Sequence, residues 1–399
     1  MVERLPEKLE GLRILIVNKA LGSFIGGGES FDKAAAIHLQ RKGHRVTVLT
    51  NRPLTDRNAL VEAELDTVYV KSPDLKRFAY RIEKKHVYVA ALLNHIDAFL
   101  FQRKVFKWIA KHPDFDVIQT CSLFRLARWI LNKSNIAVVV WLPGKPSRLT
   151  RRIMGKMKGK QRFCLFTHGD TADFLVEKMN YTESLDFTVV EPGVELDKIE
   201  KVKSNKGHLR EKLRIPEDAV LGITVCRLLP IKNLSMLISS LAEISLKDKN
   251  IFWLIVGEGP EEEILKDLVR NKRIQDRIHF AGQVSNTEVH ELLDASDIFA
   301  LTSLYESYGI STLEAMGHGL PVICTKAGYL VELIRKSEGG VLVEIDDTRR
   351  LAEEITKLSD SAELRNNYGQ NGKAYVLQFG WMRTVEKLIA VYQKAIFAK

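Results

Sequence analysis

The 399-residue chain has no apolar run approaching the roughly 18 residues that a membrane-spanning helix needs, so no transmembrane segment is expected. Cysteine is scarce. Cys121, Cys164, Cys226 and Cys324 stand far apart and show no C-x-x-C spacing, which excludes a zinc knuckle or a disulfide framework and leaves reduced core thiols as the expectation. The opening MVERLPEKLEGLRILIV is charged and lacks the apolar segment of a signal peptide, so the chain reads as cytoplasmic. No low-complexity tract or short internal repeat is present. Acidic residues are nearly missing from one region. Residues 71–162 hold 21 basic and 5 acidic side chains, net +16, while the whole chain is only +10. The excess belongs to the first half and points to an anionic surface or substrate.

What is present is β-α alternation in a chain long enough for two domains. Apolar strand-like runs fall at 12–17, 45–50, 68–70, 117–119, 136–141, 163–166 and 187–190. A second series falls near 220–226, 251–256, 277–281, 297–301, 321–325 and 340–343. Helical patterns lie between them, including 30–42, 75–111, 122–132 and a helix over 170–178 capped by Asp170. This alternation predicts parallel sheets covered by helices, an α/β class with two doubly wound domains. The boundary is expected after the turn Glu191-Pro192-Gly193-Val194. It gives 1–195 as the first domain, joined by a last helix at 381–399, and 196–380 as the second.

The densest stretch is DIFALTSLYESYGISTLEAMGHGLPVICTKAGYL, 297–330. It reads as strand, polar loop, short helix from Ile310, and strand. Glu306 lies in the loop beyond the strand end, and Glu314 on the second helical turn, where side chains tilt back toward the N-terminus. Both carboxylates are expected in the crevice above the strand ends. The free N–H groups near Gly309, Ile310 and Ser311 suit a phosphate. In TVCRLLPIKNL, Arg227 and Lys232 stand five positions apart between a strand and a helix, a cation pair fit to clamp a diphosphate. IVGEGPEEE repeats the strand-turn-helix layout, with Gly257 and Gly259 permitting a close approach. In the first half, Gly26, Gly27 and Gly28 form a strand-to-helix turn. The turn is not G-x-G-x-x-G and no acid ends the next strand, so a dinucleotide site is disfavoured.

Taken in order, these pieces resemble glycosyltransferase family 4, the retaining group 1 glycosyl transferases with the GT-B fold. The matching segments are GGGE at 26–29, EPGVELDKI at 191–199, RLLPIKN at 227–233, VGEGP at 256–260, and Glu306 with Glu314. The resemblance implies two Rossmann-like domains facing across a cleft, with the final helix returning to the first. It implies a UDP- or GDP-sugar donor and no metal or cofactor. Arg227 and Lys232 would contact the donor diphosphate, and Glu314 the ribose. Glu306 and the backbone of Ser307 to Ile310 would hold the sugar. Gly27 and Gly28 would approach the phosphates, and the base would lie near Gly282 to Val284. Retention could come from double displacement through a carboxylate or from same-face attack, in which the departing phosphate takes the acceptor's proton; the resemblance favours the second, which leaves no nucleophile to assign.

The chain departs from the family where histidines are common. QTCS at 119–122 and WLPGKPS at 141–147 contain none, and His168 is the nearest candidate, with a structural role as the stronger reading. Asp114-Phe115-Asp116 has D-x-D spacing but sits at a strand entry, so a metal is not expected there. The basic stretches 76–107 and 145–162 interleave cations with Phe, Leu, Ile and Met. They fit a solvated face or contact with anionic lipid, and thus an enzyme peripheral to the inner face of a membrane with a lipid-linked or anionic acceptor. No nucleic-acid module is visible. The alternatives are a catalytically silent membrane- or nucleic-acid-associated subunit of the same fold, a phosphorylase, or a sugar-nucleotide epimerase.

Overall fold

A computed structural model describes residues 11–21, 27–51, 65–73, 75, 87–202, 206–245 and 250–398. The chain divides into two compact units, Met1–Glu191 with Met382–Lys399, and Pro192–Trp381.

The first unit holds β1 (Arg13–Val17), β2 (Arg45–Asn51), β3 (Asp66–Val70), β4 (Val117–Cys121), β5 (Ala137–Leu142), β6 (Phe163–Thr167) and β7 (Thr188–Val189). They form one sheet in the order β3-β2-β1-β4-β5-β6-β7. Every pairing is parallel. Parallel strands need helical crossovers, which cover both faces, and this is why β5 reads AVVVWL with all six residues buried. The last helix, Trp381–Phe397, is part of this unit from Met382 onward. Its Tyr392 hydroxyl donates to Gln119 Oε1 at 2.6 Å in the core.

The second unit holds β8 (Val220–Val225), β9 (Ile251–Val256), β10 (Ile278–Gly282), β11 (Ile298–Leu301), β12 (Val322–Thr325) and β13 (Gly340–Val343). Their order is β10-β9-β8-β11-β12-β13, again all parallel. Alternation along β9 splits the core in two. Phe252, Leu254 and Val256 join one cluster, and Ile251, Trp253 and Ile255 the other. Trp253 lies flat over Gly222, where a Cβ would come within 2.2 Å of the ring. Its indole N–H donates to Thr224 Oγ1 at 3.0 Å, and that hydroxyl donates to the Ala300 carbonyl at 2.8 Å. Strand order reverses between β8 and β11, so the crevice beyond their carboxyl ends is where a doubly wound sheet takes its ligand.

Several local expectations need correction. The helix over 170–178 starts after Gly169 (φ +51), and Asp170 is its first residue without a side-chain cap bond. Asp170 pairs instead with Lys145 at 2.7 Å. The 122–132 helix begins at Phe124, because Ser122 sits at φ +56, outside helical geometry. The basic stretch at 145–162 contains a helix, Arg148–Gly155, whose N-cap Ser147 Oγ accepts from Thr150 N at 3.2 Å. Gly27 and Gly28 are not in a turn but open the helix Gly27–Arg41, while Gly26 lies outside the described residues. Of the 75–111 helix, Val87–Ile109 is helical and 76–86 lie outside the described residues. Cys164 and Cys324 are buried, but Cys121 and Cys226 are only half-buried at strand ends.

Candidate active site

The loops after β8, β9 and β11 build the site of the second unit. Beyond β8 the chain is clamped to the loop after β9. Cys226 N donates to Val256 O at 3.0 Å, Leu228 N to Glu258 O at 2.9 Å, and Glu261 N to Leu228 O at 3.1 Å. Gly257 makes this possible. Its φ is +129, and a Cβ there would lie 1.9 Å from the Cys226 carbonyl oxygen. The close approach that glycine allows at 257 is thus first an approach to the chain itself, and it fixes where Arg227 stands. Leu228 is fully buried, whereas Arg227 points outward, exposed and without an ion pair among the described residues. Cys226 lies beside it, its thiol pushed up to about 12 by burial.

Lys232 ends a single 3-10 turn, Pro230–Lys232. Its ammonium pairs with the Glu306 carboxylate, their side chains only 17% and 11% exposed. Glu306 Oε1 also accepts from Ser303 Oγ at 2.9 Å. Backbone contacts hold both partners. Thr302 Oγ1 donates to the carbonyls of Lys232 and Asn233 at 3.1 Å each, and Leu304 N donates to Ile231 O at 2.8 Å. Tyr329 N donates to Glu306 O at 3.0 Å, and Thr325 Oγ1 to Ser303 O at 2.6 Å. The cation and the carboxylate, 74 residues apart, are therefore held by the loops of two adjacent strands.

Gly309 lies at φ +81, and a Cβ there would meet Leu330 Cδ2 at 2.6 Å. It starts the helix Ile310–Gly317 with no side-chain cap, so the positive end of the helix keeps N–H groups for another acceptor. Ile310 and Val284 pack against the core, and Ser311 is half-buried.

Glu314 has Lys198 and Glu195 as its charged neighbours. Its carboxyl is pushed up to about 7 by burial, with Lys198 drawing it down and Glu195 raising it. Its side chain has no hydrogen bond among the described residues. Close by, His290 Nδ1 and His318 Nε2 share a hydrogen bond of 3.0 Å, and His318 Nδ1 lies 3.7 Å from Asp294. Burial draws both histidines below their usual value, His290 to about 4. The sequence reading named Arg227, Lys232, Glu306 and Glu314 but missed Ser303, Lys198 and the histidine pair. The quoted segment EPGVELDKI already contained Lys198; nothing in the spacing marked Ser303.

In the first unit, Gly27 and Gly28 lead into a helix whose Asp32 is fully buried. Its two oxygens accept from Asn18 Nδ2 and Gln119 Nε2, both at 2.7 Å. Burial raises Asp32 to about 7 despite those bonds. Gln119 thus has its side chain turned inward and engaged. His168 is buried, its ring 5.9 Å from that of Trp141. Asp116 grips Arg13 through its backbone N–H at 2.8 Å and its guanidinium at 2.9 Å, so this carboxylate is engaged at the strand entry. No group of three or more metal-ligating side chains is found among the described residues.

Comparison with known proteins gives a family match to the second unit and a fold match to the whole chain. Residues 205–375 match the family described as Glycosyl transferases group 1. The N-acetyl-alpha-D-glucosaminyl L-malate synthase of Bacillus anthracis is 31% identical over 191 residues, 48% of this chain and 49% of that protein. The D-inositol 3-phosphate glycosyltransferase of Salinispora arenicola is 29% identical over 223 residues, 53% of this chain and 50% of that one. The chain spans about half the length of the curated relatives it matches. Among solved structures, Anabaena HepE in complex with UDP-glucose superposes with a TM-score of 0.77 at 17% identity, over 95% of this chain and 98% of that one. A glycosyltransferase from Rickettsia africae gives 0.75 at 18%, over 98% and 100%. At such identity the likeness shows the fold, two parallel α/β units as in GT-B enzymes. The family match lies within the second unit, whose residues 205–375 are similar to the group 1 glycosyl transferases.

Proposed function

We propose that the protein transfers a hexose-type sugar from a nucleoside-diphosphate sugar to a hydroxyl acceptor, with retention and without a metal ion. The observation that carries this reading is Arg227, exposed and without an ion pair among the described residues, beside the buried Lys232–Glu306 pair at the switch point of the second sheet. Cleaving a glycosyl phosphate bond puts negative charge on the departing diphosphate and positive charge on the sugar. Arg227, Lys232 and the N–H groups of Gly309, Ile310 and Ser311 answer the first charge. Glu306 is the acceptor for sugar hydroxyls and sits against the second. Glu314 takes the ribose hydroxyls, and the Gly257 and Val284 loops the nucleoside. The first turn of the Gly27–Arg41 helix, with Gly28, offers N–H groups to an anion. The incoming hydroxyl attacks on the face that the diphosphate leaves, and a phosphate oxygen accepts its proton, so no protein nucleophile is assigned.

UDP or GDP is the proposed carrier. HepE was solved with UDP-glucose, which supports a nucleotide sugar and makes UDP the first to test. The net charge of +16 over 71–162 supports an anionic or lipid-linked acceptor. Calorimetry with UDP, GDP and ADP, with and without EDTA, tests the donor. We expect one nucleotide to bind regardless of EDTA, with Arg227→Ala weakening it strongly and leaving the melting temperature unchanged. A fully active Arg227→Ala enzyme would overturn the assignment.

A further inference from the structure

The helix Val87–Ile109 carries a feature that the transfer reaction does not use. Val89, Leu92 and Ile96 are 48%, 59% and 39% exposed. Their spacing of three and four residues puts them in one row. The row continues to Phe99 and then to exposed Arg103. At Phe99 it meets the neighbouring helix Phe124–Lys133. The Trp129 ring lies 6.0 Å from that of Phe99, and the Arg125 guanidinium sits over Phe99 at 5.2 Å. Arg128, next to Trp129, is exposed. Neither Arg103 nor Arg128 forms an ion pair among the described residues.

Carboxylates are almost absent here. The two helices and the adjoining Arg148–Gly155 helix contain one, Asp97, and it is buried and paired with Lys19. An aliphatic row edged by unneutralised arginines suits a partner that is both apolar and anionic over a continuous plane. A nucleic acid would use the cations but gain nothing from Val89, Leu92 and Ile96. An anionic bilayer supplies an acyl boundary for the row and headgroups for the arginines.

We infer that this face of the first unit docks on an anionic phospholipid bilayer, with Val89, Leu92 and Ile96 entering the headgroup boundary and Arg103, Arg125 and Arg128 resting on the lipid phosphates. The inference stands without the transferase reading. It is tested by co-sedimenting the full chain with vesicles of phosphatidylcholine alone and of phosphatidylcholine with phosphatidylglycerol. The wild type is expected to pellet only with the anionic vesicles, less so as salt rises. Each surface cation contributes about fivefold to partitioning, so Arg103→Gln with Arg128→Gln should weaken it about 25-fold. Leu92→Gln with Ile96→Gln should abolish the binding that survives high salt. All four positions are exposed, so unchanged circular dichroism and unchanged UDP binding separate loss of docking from loss of fold or of donor site. A chain that stays in the supernatant with anionic vesicles would overturn the inference. So would variants that pellet like the wild type, or binding to RNA without binding to vesicles.

Discussion

Consider replacing Lys232 with methionine. The methylene stem is kept and the ammonium removed, which leaves Glu306 with the Ser303 hydroxyl as its remaining side-chain donor. Both side chains of the pair are more than four-fifths buried, so the stranded carboxylate cannot be rescued by bulk water. Breaking such a pair from one side costs about 3 kcal/mol. A unit of this size loses about 2–4 °C of melting temperature per kcal/mol, so its transition should fall by about 6–12 °C. Glu306→Gln, which keeps an oxygen for Ser303, should lose about 2 kcal/mol, within the range for a hydrogen bond to a charged group. Combining the two removes both charges together, and the double variant should return to within about 1 kcal/mol of the wild type. Thermal melts of the four proteins close the cycle. UDP calorimetry on the same samples separates stability from donor binding. Lys232→Met should lose about 10- to 100-fold in UDP affinity whether or not Glu306 is also changed, because the lost bond is one to a charged phosphate. Additive losses in the melts would refute the coupling. Unaltered UDP affinity in Lys232→Met would refute the diphosphate role.

Two further predictions follow from the same unit. Gly257→Ala places a methyl 1.9 Å from the Cys226 carbonyl at φ +129. It should cost about 1–3 kcal/mol in melting experiments and weaken UDP binding by displacing Arg227. Glu314 has its folded-state value raised to about 7 from an ordinary 4.5, so the folded protein holds this proton where the unfolded chain has released it. Its contribution to stability is complete below pH 4.5 and is lost as pH rises through about 7. UDP affinity should run the opposite way, rising through the same window as the ribose acceptor ionises. Glu314→Gln should flatten the affinity profile and lessen the slope of the stability profile, part of which Asp32 keeps, and an unflattened affinity profile would remove Glu314 from the ribose site.

The strands were legible because parallel sheets bury both faces, and runs such as IFWLIV in β9 have no polar side for a reader to mistake. Arg227, Lys232 and Glu306 were legible as charges placed just beyond strand ends, a position that topology alone makes meaningful. What holds them was not. The hydroxyls of Ser303 and Thr302 look like ordinary loop residues until the β8 and β11 loops are seen side by side. The Arg148–Gly155 helix was hidden by its own charge, since four of its eight side chains are apolar or small and the rest are mostly arginine. Ser122 was read as helical because nothing in a one-dimensional pattern reports a positive φ. The sequence places Glu314 and Glu306 in one crevice and says nothing of what surrounds Glu314. Its electrostatic neighbours proved to be Glu195 and Lys198, which lie more than a hundred residues earlier.

The first unit is discontinuous, and synthesis runs in one direction. The ribosome delivers residues 192–381, the whole of the second unit, before it delivers Tyr392. Until then Gln119 Oε1 lacks the hydroxyl that meets it in the core, and the sheet face under the last helix is uncovered. The second unit can therefore complete its packing on the nascent chain while the first, though begun earlier, waits for the last helix. A chain stalled near residue 381 would carry a finished second unit and an unfinished first one. That is the species in which a holding chaperone would find exposed apolar surface.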